Sequence, residues 1–281
     1  MNSLSDANGF NNQDAILLSA FSYQTYPFFD KKELILPEAY ALSHTIYGMV
    51  GVTEKIEECF GFIAESEERI VLAFRGSDST PNLDSDLDLF QISFPYVENA
   101  GKTHRGITRI YESLRSNLIE AILKATPNKA LFITGHSLGA DLAIMAGLDI
   151  AVNTAVKNPY VYTYAAGRPG DPDFIQNYNE HVENSFRIFN VHDLIPTLPA
   201  AEYPPPFTEE GLVYEHVSMP FPVDFQLNNV FLNHRINCYF EKLGELDTEY
   251  MTDLRIKNPG FCPEAINLQE LAISMLKNVT S

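Results

Sequence analysis

Cysteine is scarce in this sequence of 281 residues, and its spacing excludes two kinds of small structural site. The three cysteines, Cys59, Cys238 and Cys262, show no Cys-x-x-Cys spacing of the kind that holds zinc. Their odd number is also unlike the paired cysteines of a disulfide framework. We therefore expect reduced thiols and no structural metal.

Basic residues are few compared with acidic ones. The sequence has 19 Lys and Arg against 37 Asp and Glu, a formal net charge of −18. A field of this sign repels nucleic acids and anionic membrane surfaces. Uncharged substrates are therefore expected, and nucleic acid is not expected as a partner.

Long apolar runs are missing as well. No window approaches the roughly 20 apolar residues that a transmembrane helix requires. The first residues contain no basic region ahead of an apolar stretch, which a secretory signal would show. These absences predict no transmembrane segment and a cytoplasmic location. The length and the hydrophobic content of 45% predict one domain over residues 1–281, with a loose arm over residues 1–13.

The most informative stretch runs from Ala130 to Met145. A short β-prone run leads into Gly135-His-Ser-Leu-Gly139, and a helix-favouring run follows. This pattern is typical of a nucleophile elbow, in which a tight strand–turn–helix holds the central serine in a strained conformation. The pattern predicts that Ser137 presents its hydroxyl at the apex of the turn.

Strands and helices alternate through the second half of the chain, which predicts an α/β fold with a mostly parallel sheet and an antiparallel N-terminal edge. Near the N-terminus, Asp14 is expected to cap a first helix that Pro27 ends. The expected strands cover residues 59–64, 69–74, 130–134, 161–165, 185–191 and 212–217, and the expected helices cover 14–26, 106–124, 138–153 and 234–243.

A reactive serine needs a base, and the base needs a carboxylate. In this fold class the acid and then the histidine follow the serine along the chain. Asp193 comes directly after the strand predicted at 185–191, where the carboxyl ends of parallel strands line a crevice. Asp171 and Asp173 are alternatives, but their neighbouring prolines favour turn or helix-cap positions.

Seven histidines compete for the role of the base. His136 lies inside the elbow, with its side chain expected to point away from the apex, and His192 should point away from the neighbouring acid. His216 and His234 remain. His216 lies within an alternating strand pattern, whereas His234 opens the predicted helix at 234–243 after a loop, so His234 is preferred.

Five ordered motifs resemble those of the class 3, fungal-lipase-like α/β-hydrolases. They are Phe74–Ser77, Thr103–Ile107, Gly135–Ala140, Asn190–Pro196 and Asn233–Tyr239. The resemblance covers residues 60–243. It implies an α/β-hydrolase fold with Ser137 as nucleophile, Asp193 as acid and His234 as base.

The same resemblance implies that Ser77 and the backbone N–H of Leu138 form an oxyanion hole. It also implies that residues 78–94 form a lid. Aspartates alternate at 84, 86 and 88, but Leu89 and Pro95 occupy the positions where a calcium loop requires Gly and Glu, so no metal is expected.

These residues predict a serine-dependent carboxylic ester hydrolase that requires no cofactor. Acylglycerols are the expected substrates, at a lipid–water interface, and the alternatives are a phospholipase A or a short-chain esterase. A rival of another class is an inactive hydrolase fold that binds lipid or protein. The sequence does not indicate an oligomeric state.

Overall fold

The computed structural model describes residues 9–50, 56–77, 90–125, 128–205, 210–217 and 219–266. The helices are α1 (Asn12–Lys31), α2 (Arg105–Lys124), α3 (Leu138–Asn153), α4 (Pro172–His181), α5 (Val230–His234), α6 (Ile236–Gly244) and α7 (Thr248–Lys257). The strands are β1 (Ala41–Val50), β2 (Ile56–Glu65), β3 (Arg69–Phe74), β4 (Gln91–Ser93), β5 (Lys102–His104), β6 (Ala130–His136), β7 (Tyr160–Tyr164), β8 (Asn184–Asn190), β9 (Glu202–Tyr203), β10 (Leu212–Val213) and β11 (Pro220–Val223).

Seven strands form the central sheet in the order β1-β2-β3-β6-β7-β8-β11. β1, β2 and β3 pair antiparallel, and every later pairing in this sheet is parallel. The predicted α/β class with an antiparallel N-terminal edge is therefore confirmed. Because β6, β7 and β8 run in the same direction, the loops that follow them meet at one edge of the sheet.

Helices cover both faces of this sheet and form two hydrophobic cores. α2, α3 and α4 cover one face, with Tyr111, Leu142 and Phe174 in its core. α1, α6 and α7 cover the other, where Phe21 and Tyr239 are buried. Of the described helices, none combines the length and the apolar composition that crossing a bilayer requires.

The first helix differs from the prediction at both ends. Asn11, not Asp14, is its N-cap, because the Asn11 side chain accepts a hydrogen bond from the backbone N–H of Asp14. Pro27 lies inside the helix, which continues to Lys31 and ends at Lys32 in the left-handed conformation (φ 60°). The predicted arm over residues 1–13 is also too long, since Phe10 is buried and stacks on the ring of Phe221 at 4.0 Å.

Two strands escape the sequence pattern. β1 forms one edge of the sheet and was not predicted. The strand predicted at 212–217 is wrong, because only Leu212–Val213 is extended and it pairs with β9 outside the main sheet. The last strand of the main sheet is β11, which contains Pro220 and Pro222. Proline is tolerated there because β11 is an edge strand.

Candidate active site

The strained turn predicted around Ser137 is present between β6 and α3. Ser137 has φ 59° and ψ −132°, a conformation in which an L-residue is rare. A Cβ atom on Gly135 would lie 2.1 Å from the Gly139 carbonyl oxygen, and one on Gly139 would lie 2.4 Å from the Phe74 oxygen. Only glycine therefore allows β3, β6 and α3 to approach so closely at this turn.

Asp193 and His234 lie together, as the chain order predicts. Nδ1 of His234 donates to Oδ2 of Asp193 at 2.8 Å. Both side chains are buried. The same Asp193 oxygen accepts from the Tyr239 hydroxyl at 2.7 Å, and Oδ1 accepts from the Ile195 backbone N–H at 3.0 Å. These bonds fix the carboxylate and the tautomer of the imidazole.

Two asparagines join the loop that carries the acid to the loop that carries the base. Nδ2 of Asn190 donates to the Asn233 carbonyl at 3.0 Å, and Nδ2 of Asn233 donates to the His192 carbonyl at 3.2 Å. His234 does not open a long helix, as predicted, but ends the short α5. Asn229 caps that helix by accepting from the backbone N–H groups of Phe231 and Leu232.

Ser137 Oγ and His234 Nε2 are both buried and have no hydrogen-bond partner in the described part of the chain. No hydrogen bond joins these two atoms. Catalytic hydrogen bonds of this kind often form only when the substrate is bound. His234 Nδ1 is already bonded to Asp193, so Nε2 is the nitrogen left to accept a proton. The arrangement has the chemical parts of a serine–histidine–aspartate triad.

His136, the residue before the serine, was not expected to contribute. Its ring lies 4.6 Å from the ring of His234, centroid to centroid. Nε2 of His136 donates to the His234 carbonyl oxygen at 2.6 Å, and Nδ1 accepts from the Tyr26 hydroxyl at 2.7 Å. Burial, and then the nearby His234, hold the pKa of His136 well below its ordinary value, so the ring is neutral.

The two residues expected at an oxyanion hole lie next to this turn. Leu138 is the first residue of α3, where backbone N–H groups have no partner within the helix. Ser77 follows Gly76, and a Cβ atom on Gly76 would lie 3.1 Å from the Cβ of Ser137. The backbone after β3 therefore runs beside the nucleophile. The oxyanion role of both residues stays a prediction.

The other candidate residues lie elsewhere. Nδ1 of His216 donates to the Gly167 carbonyl at 3.1 Å, and Nε2 of His192 lies 3.1 Å from the exposed carboxylate of Asp224. Asp171 is the N-cap of α4, accepting from the Phe174 N–H, as its flanking proline predicts.

Most of the predicted lid, residues 78–89, lies outside the described residues, as do the aspartates at 84, 86 and 88. Phe94, at the expected end of this segment, is buried and packs edge-on against Phe174. The lid role stays a prediction. In the parts of the chain that are described, no three His, Cys, Asp or Glu side chains are grouped to hold a metal ion.

A family model described as lipase (class 3) matches residues 71–203, which include the elbow and Asp193. This part of the chain is therefore similar to the class 3 lipases. His234 lies beyond the matched residues, so its assignment depends on its contact with Asp193.

Three curated relatives are similar to part of the chain. The chain is 33% identical over 146 residues to a lipase of Rhizomucor miehei, covering 50% of the chain and 40% of that lipase. It is 29% identical over 149 residues to a secreted mono- and diacylglycerol lipase A of Penicillium camembertii, covering 51% and 48%. It is 28% identical over 125 residues to a chloroplastic phospholipase A1 of Arabidopsis thaliana, covering 42% and 24%. The chain thus matches less than half the length of each relative.

Solved structures support the α/β-hydrolase fold. A triacylglycerol lipase whose catalytic centre is a serine protease triad superposes with a TM-score of 0.62 at 22% identity, covering 79% of the chain and 82% of that structure. A lipase of Rhizopus microsporus gives a TM-score of 0.57 at 20% identity, covering 75% and 72%. The predicted fold is therefore confirmed.

The predicted cytoplasmic location is wrong. Relatives from Penicillium cyclopium and Penicillium camembertii are named as secreted, and this finding contradicts the prediction. The prediction was based on two features that were not seen in the sequence, a secretory leader pattern and paired cysteines. Cys59, Cys238 and Cys262 are indeed free thiols, but they are buried and so are shielded from oxidants in either compartment.

Proposed function

We propose that the protein is a serine hydrolase of carboxylic esters, acting within one α/β-hydrolase domain. The observation that carries the proposal is the 2.8 Å hydrogen bond between Nδ1 of His234 and Oδ2 of Asp193, beside a serine with φ 59° at the elbow. A neutral imidazole fixed by a buried carboxylate is the base that such a serine requires.

Each step of the reaction uses a group of the chain. His234 Nε2 takes the proton from the Ser137 hydroxyl as its oxygen attacks the ester carbonyl. The backbone N–H of Leu138, with Ser77, stabilises the negative charge that develops on the carbonyl oxygen. His234 then gives its proton to the leaving alcohol. Water, activated by the same imidazole, releases the acid from Ser137.

We propose a lipid ester, an acylglycerol, as the substrate. Four apolar side chains flank the acid and the base and remain about half exposed. They are Val191 (52%), Leu194 (50%), Val230 (54%) and Phe231 (48%). An apolar rim of this kind favours an apolar substrate surface. The net charge of −18 favours an uncharged interface over an anionic one.

Covalent labelling tests the reaction class. A fluorophosphonate probe should label the wild-type protein at Ser137 and should not label Ser137→Ala. Absence of labelling in a folded wild-type protein would instead indicate an inactive fold that only binds its ligand. The probe is small, so the result does not depend on the choice of substrate.

A substrate panel then tests the lipid class. It comprises emulsified triacylglycerol, monoacylglycerol, phosphatidylcholine vesicles and p-nitrophenyl esters of short and long chains. We expect faster release of acid from the acylglycerols than from phosphatidylcholine. Faster phosphatidylcholine cleavage would favour the phospholipase alternative, to which the Arabidopsis relative lends support. Turnover of soluble short-chain esters alone would favour an esterase.

A further inference from the structure

Arg187 is a buried arginine that has no acidic partner among the described residues. It lies in the middle of β8 and is 8% exposed. Its guanidinium carbon lies 4.5 Å from the centroid of the Phe189 ring, and Nε is buried without a hydrogen-bond partner. Across the described ranges, no ion pair or side-chain hydrogen bond involves this guanidinium. A buried charge in this state is costly unless something neutralises it.

Two other arginines, Arg75 and Arg115, are paired with acids. Arg75 donates through Nη2 to Glu58 at 2.7 Å, and Arg115 donates through Nε and Nη2 to Asp149 at 2.6 and 2.9 Å. The 37 acidic residues outnumber the 19 basic ones, so the chain has enough carboxylates to pair with every arginine. Arg187 therefore differs from Arg75 and Arg115, and the composition does not explain the difference.

The neighbours of Arg187 add positive charge instead of offsetting it. Burial, and then the charge of Arg168, lower the pKa of Arg187 to about 10. Burial and both arginines lower the pKa of His216 to about 3, so this histidine stays neutral. Arg168 itself donates through Nη1 to the carbonyls of Thr197 and Pro199. These bonds hold Arg168 near Arg187 and His216 but bring no negative charge.

We propose that Arg187, with Arg168 beside it, binds an oxyanion that presents two oxygens to the guanidinium, such as a carboxylate or a phosphate. A planar guanidinium offers parallel N–H donors that match two oxygens of such a group, and one bound anion would neutralise the local charge. The contact with the Phe189 ring uses no N–H donor of Arg187, so these donors are free to bind an anion. The proposal concerns anion binding by Arg187 and uses none of the roles assigned to Ser137, Asp193 and His234, so it does not rest on the proposed function.

Thermal unfolding in defined anions tests the proposal. Sodium phosphate and sodium acetate are compared with sodium chloride at the same ionic strength, because ionic strength alone changes surface electrostatics. We expect a saturable rise in Tm with phosphate or acetate beyond that with chloride, since a ligand of the folded state raises Tm. Arg187→Met should abolish this rise. The matched control, Arg109→Met at an exposed position of α2, should keep it.

A further ligand in the same unfolding experiment distinguishes the sources of the anion. This ligand is a short-chain phosphatidic acid below its critical micelle concentration. An equal response to phosphate and phosphatidic acid assigns a lipid head group, and a response to phosphate or acetate alone assigns a free anion. No anion-specific rise in the wild type, or an equal rise in Arg187→Met, overturns the proposal.

Nuclear magnetic resonance supplies a second measurement on the wild-type chain, which does not require the methionine variant to fold. The Nε–H resonance of Arg187, assigned by its loss in Arg187→Lys, should shift saturably with the effective anion and stay in place with chloride. An unmoved resonance overturns the proposal even if Tm rises. Both readouts measure binding, so neither requires esterase activity.

Discussion

His136 contacts His234 in two ways. Its Nε2–H donates to the His234 carbonyl at 2.6 Å, and the centroids of the two rings lie 4.6 Å apart. The Tyr26 hydroxyl donates to the other nitrogen of His136 at 2.7 Å, which fixes the tautomer. The first helix of the chain is thereby linked to the candidate base. This contact holds the backbone of His234, while Asp193 holds its ring.

Replacing His136 by Phe should lower kcat and change KM little. The His234 carbonyl loses its donor, so the ring of His234 is less well positioned toward Ser137. The lost hydrogen bond predicts a decrease of about 10- to 100-fold in kcat. Ester hydrolysis and the rate of fluorophosphonate labelling measure this effect.

Tyr26→Phe is the milder variant and should lower kcat only a few-fold. It removes the hydrogen bond that fixes the tautomer of His136 and leaves the imidazole itself in place. Tyr23→Phe, on the same helix, is the matched control and should behave as the wild type. A normal kcat in His136→Phe would contradict the positioning role of His136. An equal loss in Tyr23→Phe would show that the effect comes from the helix in general.

Asp193→Asn should leave the fold intact and lower kcat by about 10⁴-fold, as expected for a triad acid. An asparagine amide can donate to Nδ1 and favour the tautomer whose Nε2 carries the proton, so Nε2 no longer accepts the serine proton. The pre-steady-state rate of acylation with a p-nitrophenyl ester measures the loss. The exposed Asp224→Asn, whose carboxylate lies beside His192, should retain full activity. Retained acylation in Asp193→Asn would remove Asp193 from the mechanism.

Much of the candidate site was predictable because its signals are local. The glycines on either side of Ser137 indicate that strand and helix approach closely at the turn. The position of Asp193 follows from the end of the preceding strand. His234 was found by elimination, although its placement at the end of a short helix was not. A helix of five residues has too little periodicity to predict, and its cap, Asn229, bonds to the backbone of the next turn.

The unpredicted parts depend on contacts between residues that are far apart in sequence. Tyr26 and His136 are 110 residues apart, and neither belongs to a spacing pattern. Pro220 and Pro222 argue against a strand until the edge position of β11 is known. Arg187 lies in a strand whose neighbours give no sign that it lacks an acid. Such features follow from tertiary packing, which overrides local propensity.

Tyr239→Phe should destabilise the fold and weaken the site together. The Tyr239 hydroxyl donates to Oδ2 of Asp193 and accepts from the Asn190 N–H at 2.8 Å. Its removal leaves a buried N–H without a partner, which costs about 1–3 kcal/mol in the free energy of unfolding. Urea denaturation measures the cost. The control Tyr160→Phe, at a half-buried ring that stacks on Phe132, should change stability little. Equal stability of the two variants would contradict the role of this hydroxyl.

Asp141, in the first turn of α3, should make stability depend on pH. It is 6% exposed, and its Oδ1 has no partner among the described residues. Burial raises the pKa of Asp141 to about 8, although a hydrogen bond from the Gly167 backbone opposes the shift. Burial thus outweighs both this bond and the favourable end of the helix dipole. The side chain is therefore protonated in the folded protein at neutral pH.

The sign of the effect follows from proton binding. Between the unfolded pKa of about 3.9 and the folded value of about 8, the folded state holds a proton that the unfolded state releases. Stability from this group is therefore fully present below about pH 4 and is lost as the pH rises toward 8, by up to about 1.4 kcal/mol per unit. Asp141→Asn removes the titrating group and keeps an oxygen for the Gly167 N–H.

Urea denaturation at pH 5, 6, 7 and 8 tests this prediction. The stability difference between Asp141→Asn and the wild type should increase in favour of the variant at each step, because only the wild type releases a proton on unfolding. The exposed Asp253→Asn corrects for the general effect of removing one negative charge. Parallel pH profiles for the wild type and Asp141→Asn would show that Asp141 is already ionised in the folded protein. In that case the charge of Asp141 would need a partner near Gly167, and the residues around Gly167 would have to rearrange to provide one.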